Sequence, residues 1–156
     1  MDQYICKAKR MDNNEWVYGY YMQCSWYLDD SVMHVIVQKD AILYPHCEIS
    51  GWYEIDPDTL CRCIGYVDSY NNPIFENDVI SFGVSHKELV WWCREMSMMT
   101  AVPLDGIETN GYDYWNPKYP KYEYSAFCLM LQDPYGDFSE IKIIGNIIDN
   151  PKLIEV

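Results

Sequence analysis

Short runs of alternating hydrophobic and polar residues, separated by turn residues, recur along this chain. The first two runs, 4–10 and 16–23, flank a polar Asp-Asn-Asn turn and predict a β-hairpin. The β-branched run 32–37 is too short for a helix and predicts another strand. A soft boundary near Asp58 then separates this amino-terminal β extension, 1–58, from the rest of the chain.

The remaining residues, 59–156, carry six further strand patterns between turn residues. The predicted strands lie at about 59–66, 78–82, 88–94, 97–102, 124–131 and 141–148. Asn150 and Pro151 then predict a terminal helical turn, because asparagine caps helices and proline suits their first position. We therefore predict one mainly β domain over 1–156, with some α+β character and an SH3-like, partly open barrel.

The segment 103–124 has no strand pattern and carries a dense group of aromatic side chains. Five of them are candidate contacts for a partner: Tyr112, Tyr114, Trp115, Tyr119 and Tyr122. Long loops often carry function, and tyrosine and tryptophan are enriched at interfaces. Packing of these rings on the protein's own barrel, self-association and binding of a foreign partner all remain open.

Charge limits the classes of partner that the chain can bind. The 156 residues include 24 acidic and 11 basic side chains, which gives a net charge of −13. Because such a surface repels phosphate backbones and anionic lipid, neither nucleic acid nor a membrane is an expected partner. The charge serves solubility, attraction of a basic protein, or mimicry of a polyanion. No run approaches the roughly 18 apolar residues of a membrane span, and no secretory signal is recognised, so a cytoplasmic location is expected.

The cysteines and carboxylates do not predict an active site. Seven cysteines without regular spacing predict free thiols in a reducing compartment. Cys61 and Cys63 alternate on a predicted strand, and with His46 and Cys47 they could supply four zinc ligands, although their spacing is unlike that of structural zinc sites. Buried apolar cysteines are therefore expected, with no metal or cofactor. No pattern joins a histidine to a cysteine as a base, so no enzyme is predicted, a zinc or thiol enzyme being the exception.

Two blocks of the sequence resemble a known family when they are taken in order. The first, 59–80, contains Gly65, Asp68, an Asn-Asn turn and an acidic step into a strand at Asp78. The second, 143–154, continues from an Ile-Ile-Gly-Asn strand into an Asp-Asn-Pro turn. Together with a looser match over the opening hairpin, these blocks resemble YopX-like proteins, which are encoded by bacteriophages and prophages.

The resemblance implies a phage or prophage accessory protein in the cytoplasm of a bacterial host, and it implies no active site. Six residues are expected to shape backbone turns: Asp68, Asn72, Asp78, Gly145, Asn150 and Pro151. The chain departs from the family where Cys61 and Cys63 replace a glycine and an aromatic residue. It also has Asn77 where the family commonly has glycine, and asparagine tolerates a left-handed backbone better than most residues.

The expected function is that of a binding or assembly module, as a homo-oligomer or with a host or phage protein. Self-association is expected where the chain has more aromatic surface than one small barrel normally hides. The alternative is an acidic inhibitor or decoy that imitates nucleic acid and engages a host nuclease or another defence protein.

Overall fold

The computed structural model of the protein describes residues 4–25, 31–45, 49–82, 86–93, 98–104, 125–126 and 141–154. These residues form eleven β-strands and two short 3-10 turns. The chain divides into two compact units, 1–63 and 64–156. Within the described ranges, no helix is long and apolar enough to cross a membrane.

The first unit is an antiparallel sheet whose strands hydrogen-bond in the order β4-β3-β2-β1-β5. Its strands are β1 (Cys6–Lys9), β2 (Trp16–Ser25), β3 (Val32–Val37), β4 (Trp52–Glu54) and the start of β5 (Cys61–Val67). The long strand β2 pairs with β1 through its first residues and with β3 from Tyr20 onward. β2 therefore pairs with β1 up to Gly19 and with β3 from Tyr20 onward, so it changes partner between these two residues.

This sheet curls until the residues that follow β4 meet those that follow β1. Ile55 forms an isolated antiparallel bridge with Arg10. The amide of Asp56 donates to the carbonyl of Lys9 at 2.8 Å, and the amide of Met11 donates to the carbonyl of Glu54 at 3.0 Å. One bridge is not a ladder, so the described residues form an open sheet and not a closed barrel.

Alternation along the strands sends one set of side chains into the core of the first unit. Five buried residues form this core: Cys6, Ala8, Val17, Ile36 and Ile55. Gly19 belongs to the same face of β2, and a Cβ atom there would overlap the carbonyl oxygen of Val37 in β3. Glycine at this position therefore permits the close approach of two strands.

A 3-10 turn, Pro57–Thr59, connects this sheet to β5 and is held by side-chain hydrogen bonds. Asp56 caps the turn, and its carboxylate accepts from the amide of Asp58 at 3.0 Å. The hydroxyl of Thr59 accepts from the amide of Lys9 at 2.8 Å and donates to the carbonyl of Asp56 at 2.7 Å. One hydroxyl thus ties the turn to β1.

Replacement of Thr59 by valine is expected to lower the free energy of unfolding by about 2 kcal/mol, because both hydrogen bonds disappear and the part-buried amide of Lys9 loses its acceptor. Valine keeps the shape of threonine, so the hydroxyl alone is tested. Thr59→Ser, which keeps the hydroxyl, is expected to lose less than about 1 kcal/mol. Urea denaturation followed by tryptophan fluorescence measures both values, and equal losses in the two variants would contradict the role of the hydroxyl.

The second unit begins within β5 and contains a second antiparallel sheet. Its further strands are β6 (Pro73–Phe75), β7 (Asp78–Phe82), β8 (His86–Cys93), β9 (Met98–Pro103), β10 (Ser125–Ala126) and β11 (Ile141–Asn146). β6 pairs with β5 and is the sixth strand of the first sheet. The other five strands form the second sheet, in the order β10-β9-β8-β7-β11. The core of this unit is formed by Ile74, Ile80, Val90, Ala101 and Ile141.

Parts of the two sequence blocks, 59–80 and 143–154, lie side by side in the second unit. β7 comes from the first block and β11 overlaps the second, and they pair with Asp78 opposite Asn146 and Val79 opposite Gly145. The register shifts between Ile143 and Gly145, which marks an irregularity in β11. A terminal 3-10 turn, Pro151–Ile154, then packs onto a buried cluster that includes Val79 and Leu89.

The predicted mainly β fold is confirmed, and the described residues form two antiparallel sheets without a closed barrel. Helical structure in the described ranges is confined to 3-10 turns. The soft boundary predicted near Asp58 stays a prediction. The division found in the structure follows Cys63. Most of the aromatic segment 103–124, and most of the strand predicted at 124–131, lie outside the described residues.

Candidate functional site on the first sheet

An apolar cavity lies on the first sheet, on the face opposite the core of the first unit. Its volume is about 210 Å³, and we call it the trough. Six of its lining residues come from β2, β3 and β4: Met22, Cys24, Met33, Val35, Val37 and Trp52. Ile49, just before β4, completes the lining. No charged side chain contributes to this lining, so the trough suits an apolar ligand group.

The strand register explains why these residues meet. Met22 is paired with Val35 and Cys24 with Met33 across β2 and β3, while Val37 is paired with Trp52 across β3 and β4. Residues that are directly paired project from the same face of a sheet, as do residues two positions apart on one strand. Three adjacent strands therefore contribute a continuous apolar surface.

The floor of the trough is buried, whereas its rim is accessible. Val35 is only 2% exposed, but Met22 is 40% exposed and Trp52 is 43% exposed. Tyr18 projects from the same face of β2 and is also exposed. A contiguous exposed apolar surface of this kind is typical of a binding site.

Charged groups border this apolar face. The ammonium groups of Lys7 and Lys9 lie 5.1 and 5.6 Å from the centre of the Trp16 ring, and both lysines project from the trough face of β1. Toward the other edge of the sheet, Glu54 is paired with Val35. The apolar surface therefore lies between a cation–π group and a carboxylate, which can orient a polar partner.

Asp68, one of the predicted turn residues, is 5% exposed and accepts several hydrogen bonds. Its carboxylate accepts from the amides of Tyr70 at 2.9 Å and Asn72 at 2.8 Å, and from the Asn72 side chain at 3.1 Å. Burial alone would raise the pKa of Asp68, but hydrogen bonds from Asn72 and from the amides of Tyr70 and Ile143 outweigh it and lower the pKa. The carboxylate is thus a structural anion that organises the turn.

The turn around Asp68 also holds β11. The amide and the hydroxyl of Ser69 both donate to the carbonyl of Ile141, at 2.8 and 2.7 Å. Asn71 adopts a left-handed backbone with φ of 67°, a conformation that asparagine tolerates better than most residues. The turn from the first sequence block therefore contacts the strand that leads into the second.

Asp78, the first residue of β7, follows a second tight turn, which connects β6 to β7. Its buried carboxylate accepts from the amide of Phe75 at 2.8 Å, and Asn77 beside it has a left-handed φ of 69°. In the same unit, the amide of Ile147 donates to the carbonyl of Asn77 at 3.0 Å. These groups shape the backbone and line no cavity found among the described residues.

The remaining predicted turn residues lie around the end of β11. A Cβ atom on Gly145 would lie 2.8 Å from Cδ1 of Leu153 and 3.8 Å from Nδ2 of Asn150. The carbonyl of Asn150 accepts from the amide of Leu153 at 3.0 Å, and Pro151 begins the terminal 3-10 turn. Gly145 therefore leaves room for this turn to fold back beside β11.

The cysteines described by the structure do not form a metal centre of the usual ligand types. In those parts of the chain, no group of three or more His, Cys, Asp or Glu residues could hold a metal ion. Cys61 is fully buried, and its thiol lies 3.4 Å from the carbonyl of Thr59, to which it donates. Cys63 is also buried, while His46 and Cys47 lie outside the described residues.

A tyrosine–histidine pair lies on the opposite face of the same strands. The hydroxyl of Tyr21 lies 2.7 Å from Nδ1 of His34, and the two rings stack with their centres 5.9 Å apart. Because Tyr21 and His34 alternate with the trough residues along β2 and β3, they face the core side. This pair is therefore not part of the trough.

Sequence reasoning placed the candidate contacts in the aromatic segment, and all five predicted residues lie outside the described residues: Tyr112, Tyr114, Trp115, Tyr119 and Tyr122. It missed the trough, although the runs 16–23 and 32–37 were predicted as strands. The missing information was the pairing register.

No family model matches the chain, and no curated protein matches it. The trough is therefore interpreted from its own side chains.

Proposed function

We propose that this protein is a binding module that docks an apolar segment of another protein in the trough. The observation that carries this proposal is the exposed apolar cavity of about 210 Å³, with Met22 and Trp52 on its rim. Tryptophan is enriched among the anchor residues of protein interfaces, and methionine adapts its shape to different partners. The same surface contains no catalytic constellation to which another function could be attached.

A foreign partner suits this surface better than a second copy of the chain. Each copy carries a net charge of −13, so the association of two copies is opposed by electrostatic repulsion. Glu54, which is paired with Val35 of the trough, offers a carboxylate to a basic residue of the bound segment. The proposed ligand is therefore an apolar peptide segment that carries lysine or arginine.

The sequence resemblance supports a biological setting for this module. The proposed protein is a YopX-like accessory protein of a bacteriophage or prophage, acting in the cytoplasm of its bacterial host. The pairing of β7 with β11 brings parts of the two resembling blocks next to each other in the second unit. For the finer fold we propose an SH3-like, partly open barrel, supported by short antiparallel strands and the 3-10 turn Pro151–Ile154.

Peptide selection tests the docking function and does not require that the partner be identified first. A random peptide library displayed on beads is selected against the full chain, and the affinity of the recovered peptides is measured by fluorescence polarisation. We expect peptides that combine apolar and basic residues. Trp52→Ala is expected to weaken their binding at least tenfold, because it removes an anchor side chain from the rim.

The matched control is Tyr70→Ala, which removes another exposed aromatic ring at a turn of the second unit. It is expected to leave peptide affinity unchanged within about twofold, and urea denaturation shows whether both variants stay folded. Peptides that bind the Trp52→Ala variant as well as the wild type would overturn the trough as the binding site. A dimer in sedimentation that Trp52→Ala dissociates would assign the trough to a second copy instead.

A further inference from the structure

Three sulfur-bearing side chains share the trough, and their chemistry goes beyond apolar packing. Cys24 and Met33 are direct partners across β2 and β3, and Met22 projects from the same face two positions before Cys24. Directly paired Cβ atoms lie about 5 Å apart and diagonal neighbours about 7–8 Å apart, within reach of long side chains. The flexible methionine side chains can therefore bring their sulfur atoms toward the Cys24 thiol.

We propose that the trough binds a soft monovalent metal ion, copper(I) or silver(I), through the sulfur atoms of Met22, Cys24 and Met33. Thioether and thiolate sulfur are the ligands that select copper(I), whereas calcium and magnesium take oxygen ligands. The usual metal-binding residue types would not reveal this site, because two of its three ligands are methionines. The site is thus compatible with the absence of a His, Cys, Asp and Glu cluster among the described residues.

The charge of the ion also fits the cavity. One thiolate neutralises a monovalent ion, so the complex is neutral in a lining that has no charged side chain. A divalent zinc ion with the same ligands would leave one positive charge uncompensated, which an apolar environment disfavours. Trp52 in the same lining adds an aromatic ring, whose π-electrons attract a cation.

The ligands are accessible without unfolding. Cys24 is a free thiol of intermediate exposure, and Met22 lies on the exposed rim. On binding, the Cys24 sulfur loses its proton to solvent and forms a bond to the metal, while the two thioethers donate lone pairs. The ion keeps its oxidation state, so the step needs no oxidant or reductant.

Silver nitrate titration of the full chain, followed by native mass spectrometry and calorimetry, tests this site. In the wild type the first equivalent is expected to occupy the trough and shift the methyl signals of Met22 and Met33, and this shift is expected to be lost in Cys24→Ser even though its six other cysteines can take up silver(I). The double variant Met22→Leu, Met33→Leu keeps the apolar volume but has no thioether, and its affinity is expected to fall at least tenfold. Met11→Leu removes an exposed methionine elsewhere and is expected to change nothing.

A spectroscopic readout keeps the test independent of the variants. In the wild-type chain labelled at the methionine methyl groups, silver(I) is expected to shift the signals of Met22 and Met33 but not that of Met11. Silver affinity equal within twofold in the wild type and the double leucine variant would overturn the proposal, as would unshifted Met22 and Met33 signals. Anaerobic copper(I) competition with a chelator then establishes whether copper binds at the same site.

This inference does not rest on the proposed docking function, and the two can fail separately. Peptide selection reports docking without any metal, and the methionine methyl signals report silver(I) without any peptide, so a negative result in one leaves the other standing.

Discussion

Gly19→Ala is expected to destabilise the protein by about 3 kcal/mol or more, because the added Cβ atom would overlap the carbonyl oxygen of Val37. The same atom would lie 2.8 Å from the carbonyl carbon of Val37 and 2.9 Å from Cγ2 of Ile36. The obstacle is mostly the backbone of β3, which cannot rotate away as a flexible side chain can. β2 and β3 must therefore separate at the place where β2 changes partner. The shift of the urea denaturation midpoint measures the loss.

Two controls separate steric overlap from other consequences of a methyl group. Gly51→Ala places alanine at a left-handed φ of 72°, but its Cβ atom would meet Ala41 at an ordinary distance of 3.4 Å. It is expected to lose about 1 kcal/mol from backbone strain alone. Gln23→Ala, at an exposed position of β2, is expected to change stability by less than about 0.5 kcal/mol. A loss in Gly19→Ala no larger than that in Gly51→Ala would contradict the close approach of the strands.

Gly19 also illustrates which features of this fold a sequence pattern can predict. The alternation over 16–23 predicts a strand, and β2 is found there. The overlap with Val37 depends on the pairing and curl of two strands that are distant in sequence. Because a residue pattern carries the period of a strand but not its partner, the position of Gly19 against β3 could not be predicted.

Turn residues were more accessible to prediction, because their chemistry is local. Among the described residues, three non-glycine residues have a positive φ, and all three are asparagines: Asn14, Asn71 and Asn77. The sequence indicated turns at each of these places, and for Asn77 it indicated tolerance of a left-handed backbone. The preference belongs to the residue itself, so distant contacts did not have to be known.

The trough could not be predicted, because it depends on the pairing of strands that are distant in sequence. In β3, Val35 faces the trough and Ile36 faces the core, and both are buried. A strand with apolar residues on both faces has no polar face to reveal its orientation. The grouping of Met22, Cys24 and Met33 follows only from the register between β2 and β3. The prediction that aromatic residues in 103–124 bind a partner stays a prediction.

Asp68→Ala is expected to lower the free energy of unfolding by about 3 kcal/mol, because its donors, among them the Asn72 side chain, lose a buried charged acceptor. Two of these donors are the amides of Tyr70 and Asn72, so the turn that holds β11 through Ser69 would also loosen. Asp68→Asn keeps one carbonyl oxygen for the amides but presents an amide group to the Asn72 side chain. It is expected to lose about half as much, as urea denaturation would show.

The loss caused by Asp68→Asn is also expected to depend on pH. Although burial alone would raise the pKa of Asp68, its hydrogen bonds hold it below the ordinary value of 3.8. The carboxylate therefore contributes its full stabilisation above that pH, and the contribution disappears as pH falls through the lower pKa of the folded state. The difference in unfolding free energy between wild type and Asp68→Asn should be largest near about pH 7 and shrink below about pH 4. A difference that stays constant from about pH 7 to about pH 2 would show that the charge of Asp68 does not stabilise the turn.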